Sequence, residues 1–461
     1  MEVAFNCTMK LKILFFILCL TGMNVIAQFE PRQLIYEHPI SGGRMIRAAD
    51  FDNDGDQDVV IAIFDFIAWY PNDGDGNFGE PNIIEQDMGG SHDLSVADLD
   101  MDGNLDLIVS YIWEDKIVWY QNLGGGVFSN LQLIASSLNN AKGVNGADLD
   151  GDGDMDLVLG VTNGSGLYWV ENLDGQGNFG GLISIDSNLG QARRQRLGDM
   201  DGDGDIDIVS NGNNPWLLWF ENIDEEGDFS TQHTIEVQGL YENAFDIEDL
   251  DGDGDLDIVS EKSDDLLWRE NLDGLGNFGP IITINSGIGN VSDIHIADLD
   301  NDGFLDILST LTSVNEIAWY KNTDGLGTFG SKQLIETELF GPASVYTADL
   351  DSDGDLDVLT STIHPDEKGS YWYENLIILE IEDKNEAKAV IYPNPVKDIL
   401  NINNTSNLKI ETINIYNVLG RLVFQEKEQF NSIDVSHLKS GLLFVQIVTP
   451  QGTVTRKVVK E

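Results

Sequence analysis

The nine residues DLDGDGDLD at 249–257 recur six more times with small changes: DFDNDGDQD from Asp50, DLDMDGNLD from Asp98, DLDGDGDMD from Asp148, DMDGDGDID from Asp199, DLDNDGFLD from Asp298 and DLDSDGDLD from Asp349. Successive copies start 48, 50, 51, 50, 49 and 51 residues apart. A fixed period near fifty residues marks an array whose units bury their apolar faces against one another.

Carboxylates stand at positions 1, 3, 5 and 9 of every copy, and Gly stands at position 6. Position 7 varies and is Phe304 in the sixth copy, so it is expected to contribute its backbone carbonyl. The ligand set read this way is Asp50, Asp52, Asp54, Asp56 and Asp58 in the first unit, then Asp98, Asp100, Asp102, Asn104 and Asp106 in the second. The third supplies Asp148, Asp150, Asp152, Asp154 and Asp156, and the fourth Asp199, Asp201, Asp203, Asp205 and Asp207. The fifth supplies Asp249, Asp251, Asp253, Asp255 and Asp257, the sixth Asp298, Asp300, Asp302, Phe304 and Asp306, and the seventh Asp349, Asp351, Asp353, Asp355 and Asp357. Hard oxygen ligands in this number suit Ca²⁺, whereas Mg²⁺ keeps its water and zinc prefers nitrogen or sulfur. About seven Ca²⁺ are expected, one per unit. An EF-hand would need a bidentate Glu at position 12 between two helices; here position 12 is Ile61, Val109, Leu159, Ser210, Ser260, Ser309 or Thr360, and the flanks read as strands.

Each unit runs in a constant order. An alternating stretch such as SDIHIADLD enters the loop and an apolar run leaves it. A Trp follows (Trp69, Trp119, Trp169, Trp219, Trp268, Trp319, Trp372), and three residues later an Asn (Asn72, Asn122, Asn172, Asn222, Asn271, Asn322, Asn375). Six units then pass a Gly/Asp-rich turn to a Phe and a fourth extended run. Four short antiparallel strands per unit make a propeller blade. The seventh unit stops after Asn375, and the missing piece lies at the other end of the chain, where FEPRQLIYE from Phe29 aligns with FGSKQLIET from Phe329. The expected fold is therefore all-β: a seven-bladed β-propeller closed by the N-terminal strand. In one fixed register, the repeated Trp residues are blade-to-blade core.

The formal charge is −55, and 33 of the 80 acidic residues lie in the seven loops. Such a surface repels nucleic acid and anionic lipid, and no basic stripe compensates. Lys10 and Lys12, the run ILFFILCL and the site Val25-Ile26-Ala27 read as a signal peptide over residues 1–27. Both cysteines, Cys7 and Cys19, fall within it, so the mature chain is expected to have no thiol, no disulfide and no transmembrane segment. Calcium then takes the stapling role that disulfides often fill outside the cell. After Glu380 the composition changes: residues 381–388 form a charged linker, and residues 389–461 carry alternating strands without acidic loops, the pattern of a small Ig-like β-sandwich.

The Asp-loop strands, the Gly/Asn-Phe-Gly turns and the seven-fold count over residues 28–380 resemble the FG-GAP/VCBS-type propellers, a group that includes integrin heads and some calcium-containing lectins. The tail resembles the C-terminal sorting domain of type IX secretion (Por) in secreted Bacteroidetes proteins, through Tyr392-Pro393-Asn394-Pro395, the turns at Asn417–Gly420 and Leu438–Gly441, Phe444 and Arg456-Lys457. That resemblance implies type IX secretion machinery as a partner and a secreted or outer-membrane-anchored product, its tail removed or exchanged for an anchor.

The expected function is a calcium-stabilised binding or adhesion protein that recognises a glycan or a surface protein. Trp113 and Trp216 fall in second-to-third-strand loops, opposite the acidic loops, and Phe64, Phe66 and Tyr241 share that face, where exposed aromatics can stack on sugars. Arg193, Arg194 and Arg196 form a second candidate ligand-binding group near the channel, with Arg44, Arg47, His92, Lys142, His295 and Tyr346 on neighbouring inner strands. A polysaccharide lyase or hydrolase is the rival reading, although the sequence shows no nucleophile motif and singles out no catalytic residue. A pure protein–protein scaffold is the third.

Overall fold

The apolar runs that leave each acidic loop are buried along their whole length, as in Asp106–Tyr111 and Asp306–Leu311. Strands covered on both faces in this way belong at the centre of packed sheets. A computed structural model describes residues 28–38, 43–86, 88–163, 166–213, 217–224, 226–236, 244–364, 366–376, 389–392, 395–404, 409–417, 421–427, 430–439, 441–449 and 452–460. The expected signal peptide and the linker lie outside the described residues.

The chain divides into two compact units, one ending at Leu376 and one beginning at Ile377. The first holds seven four-stranded sheets, six of them contiguous in sequence. Blade 1, for example, orders Gly43–Ala49, Asp58–Ile63, Phe66–Tyr70 and Asn82–Gln86 from the inside outward. Blade 7 is made of Pro342–Ala348, Asp357–Thr362 and Gly369–Tyr373, and its outer strand is the N-terminal Gln33–Glu37. Gln33 pairs with Trp372 as Gln333 pairs with Trp319, and Phe29 bridges Asn375 as Phe329 bridges Asn322. The innermost strands neighbour one another in order, and that of blade 7 lies beside that of blade 1, so the ring is closed.

Two repeated residues make this closure. Six of the seven Trp residues, all but Trp319, lie against a glycine in the turn between the third and fourth strands of the next blade: a Cβ on Gly177 would stand 2.1 Å from Trp119, and one on Gly327 2.0 Å from Trp268. Only a residue without a side chain fits there. Each Asn donates its side-chain N–H to the carbonyl of loop position 2 in the preceding blade. Asn122 reaches Phe51 O at 2.8 Å, Asn222 reaches Leu149 O at 2.8 Å, and Asn72 completes the circle on Leu350 O at 2.7 Å.

Deleting residues 29–37 is expected to leave Gly369–Tyr373 as an unpaired edge, a ready template for strand addition. Size-exclusion chromatography should then show aggregation. A monomer as stable as the intact chain would mean that the N-terminal strand is dispensable for closure.

The second unit is a small sandwich. A three-stranded sheet (Ala389–Tyr392, Ile399–Asn404, Ser432–Asp434) and a four-stranded sheet (Leu422–Glu426, Thr412–Asn417, Gly441–Thr449, Gly452–Lys460) share a core that includes Leu400, Ile413, Ile433, Val445 and Val458. Alternate residues supply it, as with Ile413 and Ile415, and with Leu443, Val445 and Ile447. Pro393, Asn394 and residues 418–420 of the sorting motif lie outside the described residues.

Candidate functional site

The acidic loops join the first and second strands of each blade, so all seven emerge on one face of the disc. Their shape is set by the carboxylates themselves. In the first loop Asp50 accepts the N–H groups of Asp54 (3.1 Å) and Gly55 (3.0 Å), and Asp54 accepts that of Asp56 (3.0 Å). Gly at position 6 has φ between +88° and +106° in the seven copies, with open space around its missing Cβ. The requirement is therefore conformational. Position 4 is also left-handed, including Asn53 (φ 62°), Met101 (58°) and Ser352 (58°). Sequence reasoning passed over position 4; the signal was its Gly, Asn and Ser content.

The four carboxylate positions divide their work. Position 9 is fully buried, and both of its oxygens are engaged by backbone. Asp106 accepts Leu99 N–H at 3.1 Å and Asn122 N–H at 2.7 Å, and Asp357 accepts Leu350 N–H at 3.0 Å and Asn375 N–H at 2.8 Å. Position 9 is thus first a clamp on its own blade, a role the 1-3-5-9 pattern did not reveal. Burial pushes these carboxyls up to about 7, and Asp357 to about 8. At position 3, burial together with the position-5 carboxylate pushes all seven up.

Buried oxygens of Asp52, Asp100, Asp201 and Asp300 have no hydrogen-bond partner. A buried oxygen without a donor is costly, and a cation removes the cost. Carboxylate oxygens of Asp50, Asp52 and Asp58 lie within 4.8 Å of one another, as do those of Asp249, Asp251 and Asp253, close enough to share one ion. The sixth loop differs, because the Lys321 ammonium contacts both Asp300 and Asp302, the latter at 3.0 Å. Phe304 at position 7 is exposed there, and its ring lies against Gly325.

The opposite face carries the loops between second and third strands and the mouth of the central channel. Trp113, in the turn between Asp106–Tyr111 and Lys116–Tyr120, is 61% exposed. Its ring stands edge-on to Phe64, with centroids 3.9 Å apart and planes at 79°, and rests on the backbone of Gly89 and Gly90. A Cβ on Gly89 would come within 2.9 Å of the indole. Phe66, read as part of this open face, instead packs into the core beneath Tyr36, with ring centroids 6.2 Å apart. It sits at the start of the third strand, where its side chain turns toward the neighbouring blade. Trp216 and Tyr241 lie outside the described residues.

The channel cations are more occupied than the sequence suggested. Arg194 of blade 4 is ion-paired with Asp293 of blade 6, and Arg196 with Asp246 of blade 5. Arg47 lies over the Tyr346 ring at 5.3 Å, and His295 stacks on the same ring at 4.9 Å. The acidic partners were missed because their sequence neighbourhoods look like any other inner strand. Asp93 and Asp293 also tie blades together, accepting Val144 N–H (3.1 Å) and Val345 N–H (3.0 Å). Burial pushes Asp93 up against the pull of Arg47. At Asp293 burial pushes the same way, but Arg194 and Arg47 outweigh it and hold the carboxyl below its usual range. At the mouth is a cavity of about 260 Å³ whose lining includes His92, Asp93, Lys142, Arg193 and Arg194.

Sequence comparison matches residues 42–109, 148–210, 199–260, 249–309 and 310–360 to the FG-GAP-like repeat, and residues 390–461 to the secretion system C-terminal sorting domain. No protein of curated function matches the sequence. Among solved structures the chain is similar to an Agrocybe aegerita lectin that recognises non-reducing terminal N-acetylglucosamine, at 19% identity and TM-score 0.51, over 70% of this chain and 86% of that one. It is also similar to PorZ, a surface component of the type-IX secretion system of Porphyromonas gingivalis, at 13% identity and TM-score 0.46, over 89% of this chain and 58% of that one. Identities this low speak for the fold alone.

Proposed function

This chain belongs to the FG-GAP-like repeat proteins and ends in a sorting domain that directs export by type IX secretion to the cell surface or outside, and we propose that it works there as a calcium-stapled binding protein for a glycan. Each acidic loop holds one Ca²⁺ through positions 1, 3 and 5, the position-7 carbonyl and the buried position-9 carboxylate, about seven ions in all. The ions neutralise oxygens that nothing else satisfies and fix the loops that join the strands of each blade. The disc is then a rigid support for the opposite face.

Trp113 is the observation that carries the glycan reading. A large aromatic held at a fixed angle by Phe64 and two glycines, yet mostly exposed, presents a flat apolar plane. Sugar rings stack on such planes at little cost in side-chain freedom. A lectin of the same propeller fold is consistent with the scaffold serving this purpose.

A glycan array probed with and without calcium tests the proposal. Trp113→Ala is expected to lower affinity for the captured glycan at least tenfold, in line with about 1–3 kcal/mol per stacked ring by analogy with aromatic–base stacking. Its melting temperature should stay close to that of the parent, because the indole lies outside the blade-to-blade set. Full binding by Trp113→Ala would move the site elsewhere, and release of reducing or unsaturated ends from a bound polymer would favour an enzyme.

A further inference from the structure

Between residues 28 and 376 the chain has 13 Lys and Arg residues against its many acidic ones. Six of them, Arg44, Arg47, Lys142, Arg193, Arg194 and Arg196, stand on the inner strands or at their entry. Among the described residues four inner-strand carboxylates answer them, Asp93, Asp246, Glu248 and Asp293, of which Asp246 and Asp293 are ion-paired with Arg196 and Arg194. The channel mouth is therefore a positive spot on a strongly negative disc. Low-dielectric walls focus such a field toward a ligand of opposite sign.

Blade 4, like blade 5 (Phe245–Glu248), has a short inner strand, and it uses the segment ahead of that strand to place these charges. Its inner strand is only Gln195–Gly198, whereas those of blades 2, 3 and 6 run for 7 residues (Ser91–Ala97, Ala141–Ala147, Val291–Ala297). Ahead of it the chain leaves the ladder, and the side-chain oxygen of Asn211 accepts the N–H groups of both Arg193 (2.8 Å) and Arg194 (3.1 Å). Blade 3 makes room with two glycines. A Cβ on Gly160 would stand 2.4 Å from Ala192 O, and one on Gly143 2.0 Å from the Gln195 amide oxygen. The segment is thus held at the mouth by contacts that a side chain on either glycine would break. Arg194 anchors it through Asp293, and Arg193 and Lys142 line the cavity beside it.

We propose that this cavity is an anion subsite that receives the carboxylate or sulfate of an acidic oligosaccharide. This deepens the glycan-binding reading and rests on it. A volume of about 260 Å³ admits a charged sugar ring and excludes a folded partner. Gly89 and Gly90, on which Trp113 rests, run directly into Ser91–Ala97, whose His92 and Asp93 line the cavity. One sugar on the indole and an acidic one in the mouth would therefore lie on the same side of the disc.

The test uses the full mature chain in saturating calcium, so that calcium captured by a polyanion does not strip the loops. Oligogalacturonate supplies carboxylates, a chondroitin sulfate oligosaccharide supplies both groups, and a neutral galactan oligosaccharide supplies neither. Titration calorimetry is expected to show binding of one or both anionic probes and none of the galactan. Lys142→Gln and Arg193→Gln should each weaken binding at least fivefold, with the melting temperature retained. Arg194 is left intact, since its loss would strand Asp293. Raising the salt tenfold should weaken the parent more than either variant.

Equal binding by parent and variants overturns the subsite. So does capture of a neutral glycan alone, which leaves the broader glycan reading standing. Anion binding that survives Trp113→Ala, on a protein that captures nothing from the array, retains the subsite and removes the broader reading. Polyglutamate binding as tightly through the same two side chains would make the ligand an acidic protein, and the glycan assignment would fall.

Discussion

In excess chelator the propeller is expected to melt at a sharply lower temperature, with full recovery when calcium is restored. Carboxylates crowd one point in the loops, at positions 1, 3 and 9 in the first two and at positions 1, 3 and 5 in the third to fifth, and position 3 keeps a buried oxygen that no protein donor reaches in at least four loops. Like charges at that distance are held together only by a cation between them, and an ion that binds the native state alone stabilises it by mass action. Individual affinities are expected near 10⁻⁴ M, as in other extracellular modules, on the order given by ligand count and rigidity. The sixth loop, where Lys321 contacts Asp300 and Asp302, should bind its ion most weakly.

The pH dependence supplies a second readout, because its sign should reverse with calcium. In the chelated protein the position-9 carboxyls titrate at about 7, with Asp357 at about 8, while unfolded Asp titrates at about 3.9. Between those values the folded state binds more protons, so stability present below about pH 4 is lost as pH rises through 7 to 8. With calcium bound the ionised form is the native one, and stability should instead fall as pH falls. Differential scanning calorimetry across this range, with and without chelator, distinguishes the two slopes. An unchanged melting curve in chelator would remove the structural role of calcium.

Trp169→Ala is expected to be the most damaging single core change of its kind, costing roughly 3–5 kcal/mol. The indole is 4% exposed, meets Phe229 edge-on at 6.4 Å and covers Gly227 of the next blade. Its removal opens a cavity between blades 3 and 4, lined by Leu149, Ile208 and Leu218. Urea denaturation should show the lower midpoint, and glycan affinity at saturating calcium should change little in the fraction that remains folded. The paired outcome separates core from site: Trp169→Ala unfolds without altering specificity, and Trp113→Ala does the reverse. A Trp169→Ala protein as stable as the parent would show that these indoles are not what joins the blades.

The amino-acid sequence by itself determined the repeat, the blade and the ring. Period and strand pattern are local properties, because alternation along a strand and left-handed glycines in a turn are written in consecutive residues. Even ring closure was legible, since FEPRQLIYE carries the same register as the outer strand it replaces, and Gln33 does pair with Trp372. The acidic loops were legible as clusters of carboxylates for the same reason. Their division of labour was not: the two backbone donors on Asp106 come from Leu99 and from Asn122, and the Asn completes its role on Phe51 of another blade. The channel was the least legible part. Arg194 meets Asp293 and Arg196 meets Asp246 across spans of 99 and 50 residues, and Gly143 and Gly160 face the Gln195 side chain and the backbone of another blade. Only the tertiary structure decided which cations are already neutralised and which line the cavity, because charge pairing depends on distance in space and a repeat fixes only distance along the chain.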